Sequence, residues 1–198
     1  MNQSKNRKTV LMICVAAMMA ALVAVGSNLQ IQIPSILGTS RFHLGNVMCA
    51  LSGLLLGPWW GFAAAGLGSF LYDLTQGYYA HEAFITFFVK GVYGLVSGLV
   101  MYYVFVKLLK KERDSYLAML VSAVCAALAF LVIYSVKVYF YNGMLIEGFT
   151  TPVQCWALIL GKLPATLVNG ALAVACAPVL GVAIRKALKE AHLETKLA

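Results

Sequence analysis

Four ionisable residues lie inside long apolar stretches of the sequence or at their ends: Asp73, Lys90, Lys137 and Lys162. A charge at membrane depth costs on the order of a few kcal/mol, so each of these groups needs a partner or a water-filled cavity. They could hold an anionic or carbonyl-rich ligand, or they could pair with acidic residues merely to stabilise the packed helices. Both interpretations stay open on this observation alone.

Two of these lysines lie at a depth that fits the floor of a pocket. Lys162 is about nine residues into the last apolar stretch and Lys90 about eight residues into the fourth, which places them roughly 14 and 12 Å below the same end. Gln154 and Asn169 lie about two helical turns to either side of Lys162 and predict a polar stripe on the last helix. We therefore predict a pocket that opens at this end.

Polar and aromatic residues gather in three segments between the apolar stretches, at residues 29–43, 75–82 and 142–152. Aromatic rings can stack on the flat part of a ligand whose polar groups the cations hold. The plain alternative for any one of these residues is that loops are polar and that Tyr favours membrane interfaces. The residues predicted to bind a ligand are Arg41, His43, Asn46, Asp73, Tyr78, Lys90, Lys137, Gln154, Trp156, Lys162 and Asn169.

Signatures of enzymes and of metal sites are missing from the sequence. It contains no HExxH, GxSxG, Walker A or GxGxxG pattern, and its three histidines are widely separated. The five cysteines are odd in number and have no CxxC spacing, so structural disulfides and zinc are not expected. We predict a protein without catalytic activity, cofactor or bound metal.

The elements that must position the polar residues are membrane helices. Of the 198 residues, 62% are hydrophobic and 11% charged, whereas soluble proteins have roughly 45–50% apolar and 25% charged residues. We predict an all-α fold, a multi-pass protein of the cytoplasmic membrane that forms one domain over residues 1–198. Its six transmembrane helices are expected at about residues 9–28, 44–57, 58–74, 83–106, 115–141 and 153–184.

The net charge of +8 comes from clusters rather than from a continuous basic face, so a nucleic-acid partner is not expected. Basic residues occur at positions 5–8, at 107–113 and at 185–196. With six helices, an N-terminus in the cytoplasm puts all three clusters on the cytoplasmic side, as membrane proteins prefer. Both termini are therefore predicted to be cytoplasmic, and the three polar segments to face outward.

Small residues on the first helix form a surface of a different kind. Ala16, Ala17, Ala20 and Ala21 make two overlapping Ala-x-x-x-Ala pairs, a flat stripe on which a helix of another subunit can pack.

An ordered set of motifs resembles a known family. The segment His43-Leu44-Gly45-Asn46 is followed by Gly57-Pro58, Gly68-Ser69, Asp73-Leu74 and Lys90-Gly91. This set resembles the S components of energy-coupling factor (ECF) vitamin transporters, and is most similar to the riboflavin group and its hydroxymethylpyrimidine-type relatives. The similarity is strongest over residues 41–98. Because the motifs are glycine-rich and structural, they identify the family better than the ligand.

The resemblance implies a binding subunit for a small water-soluble vitamin or precursor, riboflavin-like or pyrimidine-like. Such a subunit captures its ligand outside the cell and docks onto a transmembrane T subunit with two ATPases, through the Ala-x-x-x-Ala motif of the first helix. Members that bind cobalt or nickel carry a histidine close to the N-terminus. No histidine precedes His43 here, so a metal ligand is not expected.

One alternative stays open beside this interpretation. A self-sufficient, proton-coupled secondary transporter of the same architecture would need an acidic residue as proton relay, and Asp73 or Glu82 could serve.

Overall fold

Six helices and one β-hairpin make up the described structure. It is a computed structural model that describes residues 2–35 and 38–191, and the side chains of these residues except at 2–5, 32–35, 38–40, 78 and 79. The helices are α1 (Asn2–Asn28), α2 (Gly45–Leu56), α3 (Pro58–Thr75), α4 (Ala83–Leu99), α5 (Tyr116–Lys137) and α6 (Pro152–Glu190). The strands are β1 (Gln30–Ser35) and β2 (Gly38–His43). The predicted all-α class with six helices is confirmed, and the small hairpin is an addition to it.

Two helices continue beyond their predicted ends in π-helical form. Val100–Leu108 extends α4, and Val138–Ile146 extends α5. The predicted ends, at 106 and 141, fell just before the polar residues Lys107 and Asn142. The helices pass through these residues because apolar positions resume after them. A short 3-10 helix, Gly77–Glu82, occupies the segment before α4.

Four segments are long and apolar enough to cross a membrane, namely Asn6–Asn28, Ala80–Leu108, Tyr116–Ile146 and Pro152–Glu190. Helix α2 is apolar but has only 12 residues, which is about 18 Å of helix against a hydrocarbon core of about 30 Å. Length and composition therefore establish four membrane crossings, not the six that the sequence predicts.

The junction between α2 and α3 follows from two residues. Gly57 has φ 84° and ψ −176°, a backbone conformation that residues with a side chain rarely adopt. Its N–H donates to the carbonyl of Gly53 at 2.9 Å and ends α2. Pro58 then begins α3 at the first helical position, where the missing N–H leaves no helical hydrogen bond unmade. The predicted break at Gly57-Pro58 is confirmed.

Helices α2, α3 and α4 touch through their backbones. A Cβ atom on Gly61 would lie 2.5 Å from the Gly53 Cα, and one on Gly94 would lie 2.4 Å from the Gly61 carbonyl oxygen. The Ser97 hydroxyl donates to the carbonyl of Ala50 at 3.0 Å and joins α4 to α2. Close approach of this kind replaces the hydrophobic driving force that lipid cannot supply.

The alanine stripe of α1 divides between two environments. A Cβ atom on Gly68 of α3 would lie 2.3 Å from the Ala20 carbonyl oxygen, so α1 packs against α3 on this side. Ala16 and Ala20 are accordingly buried, with exposed fractions of 8% and 5%. Ala17 and Ala21 are exposed. In this conformation only the second Ala-x-x-x-Ala pair can meet another subunit, which narrows the predicted docking stripe.

The end of α6 is fastened to the end of α2 by a buried arginine. Arg185 donates through Nη2 to the carbonyls of Leu54 at 2.9 Å and Leu55 at 3.2 Å. These carbonyls belong to the last turn of α2, where the helix leaves acceptors unpaired and favours a positive charge. The contact accounts for a guanidinium that is only 5% exposed.

The hairpin occupies most of the segment that the sequence analysis treated as a loop. Its strands are antiparallel, with Gln30 opposite His43 and Ser35 opposite Gly38. In Gln30-Ile31-Gln32-Ile33, polar and apolar residues alternate with the period of a half-buried strand. This alternation is the sequence signal for strand β1. The hairpin closes over the end of the bundle between α1 and α2.

We expect Gly61→Ala to lower the free energy of unfolding by about 1–3 kcal/mol, because the added methyl group meets the α2 backbone rather than a movable side chain. Thermal unfolding of the purified chain in detergent measures this loss. The matched control is Gly170→Ala on α6, whose new Cβ would lie 3.8 Å from Ala127. It should change the stability by less than about 1 kcal/mol. Equal effects of the two substitutions would contradict the packing described for α2 and α3.

Candidate functional site

An open cavity lies at the end of the bundle that carries the hairpin, with a volume of about 840 Å³ when the solvent space at its mouth is included. Every helix contributes to it: the end of α1, the start of α2, the second half of α3, the first half of α4, the second half of α5 and the first half of α6. The basic segments around residues 7, 110 and 186 lie at the opposite end of these helices.

The structure brings eight of the eleven predicted ligand-binding residues to the wall of this cavity. They are Arg41, His43, Asn46, Asp73, Lys90, Lys137, Lys162 and Asn169. Tyr78 lies in the 3-10 helix, and its side chain is outside the described part of the structure. Gln154 and Trp156 are at the start of α6 and do not line the cavity.

Helical geometry explains why Gln154 and Trp156 are turned away. At about 100° per residue, seven residues rotate a helix by nearly two full turns, so Asn169 lies on the same face as Lys162. Gln154 is eight residues from Lys162 and is therefore rotated by about 80°. Trp156 is rotated by about 120° in the other direction and is 58% exposed. The predicted stripe on α6 thus runs from Lys162 to Asn169 only.

Asn169 joins the hairpin to α6 through main-chain atoms. Its Nδ2 donates to the carbonyl of Arg41 at 2.8 Å, and its Oδ1 accepts from the N–H of His43 at 3.0 Å. One amide side chain thereby forms hydrogen bonds with the main chain of both residues that flank Phe42 on strand β2. This pair of bonds fixes the height at which the hairpin covers the cavity.

His43 faces the cavity as a neutral imidazole. Its Nδ1 accepts a hydrogen bond from the N–H of Gly45 at 3.1 Å, which leaves the ring proton on Nε2. Burial, followed by the positive charges of Lys90 and Arg41, lowers the pKa of His43 well below its usual value of about 6.5. The ring therefore offers a donor without adding charge at neutral pH.

Lys90 is held on the floor of the cavity. Its Nζ donates to Oδ1 of Asn46 and lies 4.7 Å from the centre of the Phe130 ring. The Phe130 ring stacks on Tyr134, with centroids 5.4 Å apart and planes inclined by 22°. A cation and an aromatic wall therefore meet at the same place, which suits a flat ligand with polar edges.

An ion pair closes one side of the cavity. Lys137 donates to Oε2 of Glu82 at 2.5 Å, and Nδ2 of Asn142 donates to Oε1 of the same carboxylate at 2.5 Å. Both charged side chains are largely buried. The pair joins the start of α4 to the end of α5, and the Tyr141 hydroxyl adds a bond to the His81 carbonyl at 2.7 Å.

A second charged group lies beneath the hairpin. Nη1 of Arg41 donates to the Tyr72 hydroxyl at 3.4 Å, and its guanidinium lies 5.9 Å from the centre of the Tyr72 ring. The neighbouring carboxylate, Asp73, is buried and accepts a hydrogen bond from Thr86. Arg41 and Asp73 thus face the same space without forming a close ion pair.

The cavity also includes residues that the sequence analysis did not assign to it. They are Ser27, Ser69, Tyr72, Glu82, Thr86, Phe130, Tyr134, Ala165 and Thr166. Several are helical neighbours of predicted residues: Ser69 is four residues before Asp73, Thr86 four before Lys90, and Thr166 four after Lys162. Positions four apart share a helix face, so this spacing was a usable signal. No comparable signal marks Ser27.

The cavity combines cations, amide groups, hydroxyls and aromatic rings, and these groups together can bind a polar ligand that contains a flat ring. Over residues 2–35 and 38–191, no group of three or more His, Cys, Asp or Glu side chains is placed to hold a metal ion.

We expect Lys137→Met to destabilise the protein by about 3–5 kcal/mol, because it leaves the Glu82 carboxylate buried without its partner. Thermal unfolding without ligand measures the loss. The double substitution Glu82→Gln with Lys137→Met should be more stable than Lys137→Met alone. Lys186→Met, at an exposed lysine of α6, is the control and should change little. A double variant as unstable as the sum of its single variants would show that the two side chains are not coupled.

Comparison with known protein families gives a match over residues 7–186, which is 180 of the 198 residues. The matching family is described as the ECF-type riboflavin transporter, S component. A search of curated proteins found no match. The family match covers the residues of the cavity and the exposed face of α1, and it identifies a multi-pass membrane transport protein rather than an enzyme. The chain therefore belongs to the family of ECF-type riboflavin transporter S components, the substrate-binding membrane subunits of these transporters.

Proposed function

We propose that the cavity at the hairpin end is the vitamin-binding site and that it takes up a flavin from outside the cell. The observation that carries this proposal is the convergence of eight predicted polar residues on one cavity of about 840 Å³. Stacked rings of Phe130 and Tyr134 suit a flat ring system. The amide nitrogen of Asn46 and the ammonium of Lys90 suit the carbonyl and ring nitrogen atoms at its edge.

The orientation in the membrane follows from charge. The basic residues at 7–8, 107–113 and 185–189 lie at the end opposite the cavity, and basic loops favour the cytoplasm. This places both termini inside and opens the cavity outward. The short helix α2 and helix α3 then form the second and third crossings of a single six-helix membrane domain over residues 1–198, broken at Gly57-Pro58 near the cytoplasmic face.

We further propose that the exposed face of α1 docks onto the membrane-embedded T subunit of an ECF module, which two ATPases drive. Ala17 and Ala21 lie on this face, and Ile13 and Met18 beside them are also exposed. Two alanines four residues apart allow another helix to approach closely within lipid. Ala16 and Ala20 support the same face from behind through their contact with α3.

The alternative of a proton-coupled transporter acting alone finds less support. Of its two candidate relay residues, Asp73 and Glu82, Glu82 is bound by Lys137 and Asn142, an arrangement that holds a carboxylate in place rather than exchanging protons with water. Uptake that persists in cells without the ATPases would favour this alternative.

Riboflavin should stabilise the purified chain, by about 2.7 kcal/mol at 100 times its dissociation constant. Ala165→Phe should abolish most of this effect, because Ala165 lines the cavity and the added ring occupies ligand space. Thermal unfolding and quenching of flavin fluorescence measure both. Ala171→Phe, at an exposed position of the same helix, is the matched control. Unchanged riboflavin binding in a folded Ala165→Phe variant would place the site elsewhere.

Ala17→Trp should prevent assembly with the T subunit and ATPases while flavin binding stays intact, because the ring projects from an exposed face of α1. Co-purification from membranes that contain all subunits measures assembly. Ala171→Trp, the same change at an exposed position of α6, should assemble normally. Ala20→Trp should instead impair folding, because Ala20 is buried against α3. Normal assembly of Ala17→Trp would contradict the docking face.

A further inference from the structure

The cavity contains more positive than negative charge. Its ionisable lining consists of Arg41, Lys90, Lys137 and Lys162 against Asp73 and Glu82, with His43 neutral as described above. The formal charge of the lining is therefore positive by two. Charges inside a lipid-embedded bundle require compensation by a partner or by water, so the excess needs an explanation.

The pairing inside the cavity does not remove the excess. Glu82 is matched by Lys137, with which it forms a direct ion pair. Asp73 is then the one remaining acidic group of the described lining, and it faces three cations. Of these, Lys90 donates a hydrogen bond to the uncharged amide of Asn46 and lies over the ring of Phe130. Neither partner neutralises its charge.

Lys162 is the cation with the least compensation. Among the backbone and side-chain atoms that the structure describes, its ammonium has no hydrogen-bond partner within 3.5 Å and no ion-pair partner within 4 Å. The charged groups that act on it are Glu82, Lys137, Arg41 and Glu147. Glu82 already binds Lys137, and Glu147 is exposed and does not line the cavity. The Lys162 ammonium therefore lines the cavity as a partly buried donor that has no partner among the described side chains.

We propose that the preferred ligand of this cavity carries a negatively charged group, a phosphate or a carboxylate, which Lys162 and Arg41 bind while the flat ring of the ligand lies against Phe130 and Tyr134. This inference rests on the proposed function of the cavity and specifies the ligand further. Riboflavin has no ionised group at neutral pH. A flavin whose side chain ends in a phosphate has the same ring and up to two negative charges, which match the excess of the lining.

The test compares riboflavin with riboflavin 5′-phosphate on the full chain in detergent at neutral pH, by quenching of flavin fluorescence. Charge-assisted hydrogen bonds to this partly buried ammonium should make the phosphate ester bind at least about tenfold more tightly. Lys162→Met keeps the length of the side chain and removes its charge. It should reduce the affinity for the phosphate ester by at least about tenfold, and by a clearly larger factor than the affinity for riboflavin, so that the preference between the two ligands is lost. Lys189→Met, at an exposed lysine of α6, should preserve the preference.

The outcomes separate this inference from the proposed function. If riboflavin binds as tightly as its phosphate ester, or if Lys162→Met weakens both equally, the inference is wrong and flavin binding stands. If neither flavin binds, the same comparison uses nicotinamide with nicotinate and pyridoxal with pyridoxal 5′-phosphate. Preference for the acidic member then supports the inference although the flavin proposal fails. Preference for the neutral member, or no binding by any compound, overturns it.

Discussion

Ionisable side chains cannot be left alone in a protein surrounded by lipid, because no bulk water is present to solvate them. In this chain, five such residues converge on one cavity from α3, the 3-10 helix, α4, α5 and α6, namely Asp73, Glu82, Lys90, Lys137 and Lys162. Their convergence fixes which face each of these helices turns inward, since rotating any one of them would bring a charge to the lipid. The same condition that holds the bundle together thus concentrates its polar chemistry at one end.

The cavity also depends on a part of the bundle that has almost no internal space. Helices α2, α3 and α4 meet backbone to backbone around Gly53, Gly61 and Gly94, and α1 meets α3 in the same way at Gly68. The helices cannot easily slide past one another at such interfaces, because their backbones are in direct contact and no flexible side chain lies between them to adjust. A rigid wall of four helices therefore faces α5 and α6, which supply the stacked rings of Phe130 and Tyr134 and two of the lysines of the cavity.

Prediction from the sequence succeeded where a residue type by itself determines the local structure or environment. Gly57-Pro58 ends one helix and begins another, and a lysine such as Lys90 in an apolar stretch must find a polar space. It failed where the outcome depends on rotation or on distant partners. Gln154 was assigned to the cavity from its distance along α6, although eight residues turn it aside. The hairpin was missed because its pairing covers a segment too short to separate from a polar loop, and the burial of Ala16 and Ala20 depends on α3, which the alanine pattern does not include.

Asn169 holds the hairpin by the carbonyl of Arg41 and the N–H of His43, and by neither side chain. An anchor made to main-chain atoms is indifferent to which residues occupy those two positions. Exchanging Arg41 or His43 would remove their own side-chain bonds, to Tyr72 and to Gly45, but would leave this anchor in place. The side chains that strand β2 turns toward a ligand can thus change while Asn169 still holds the strand on α6.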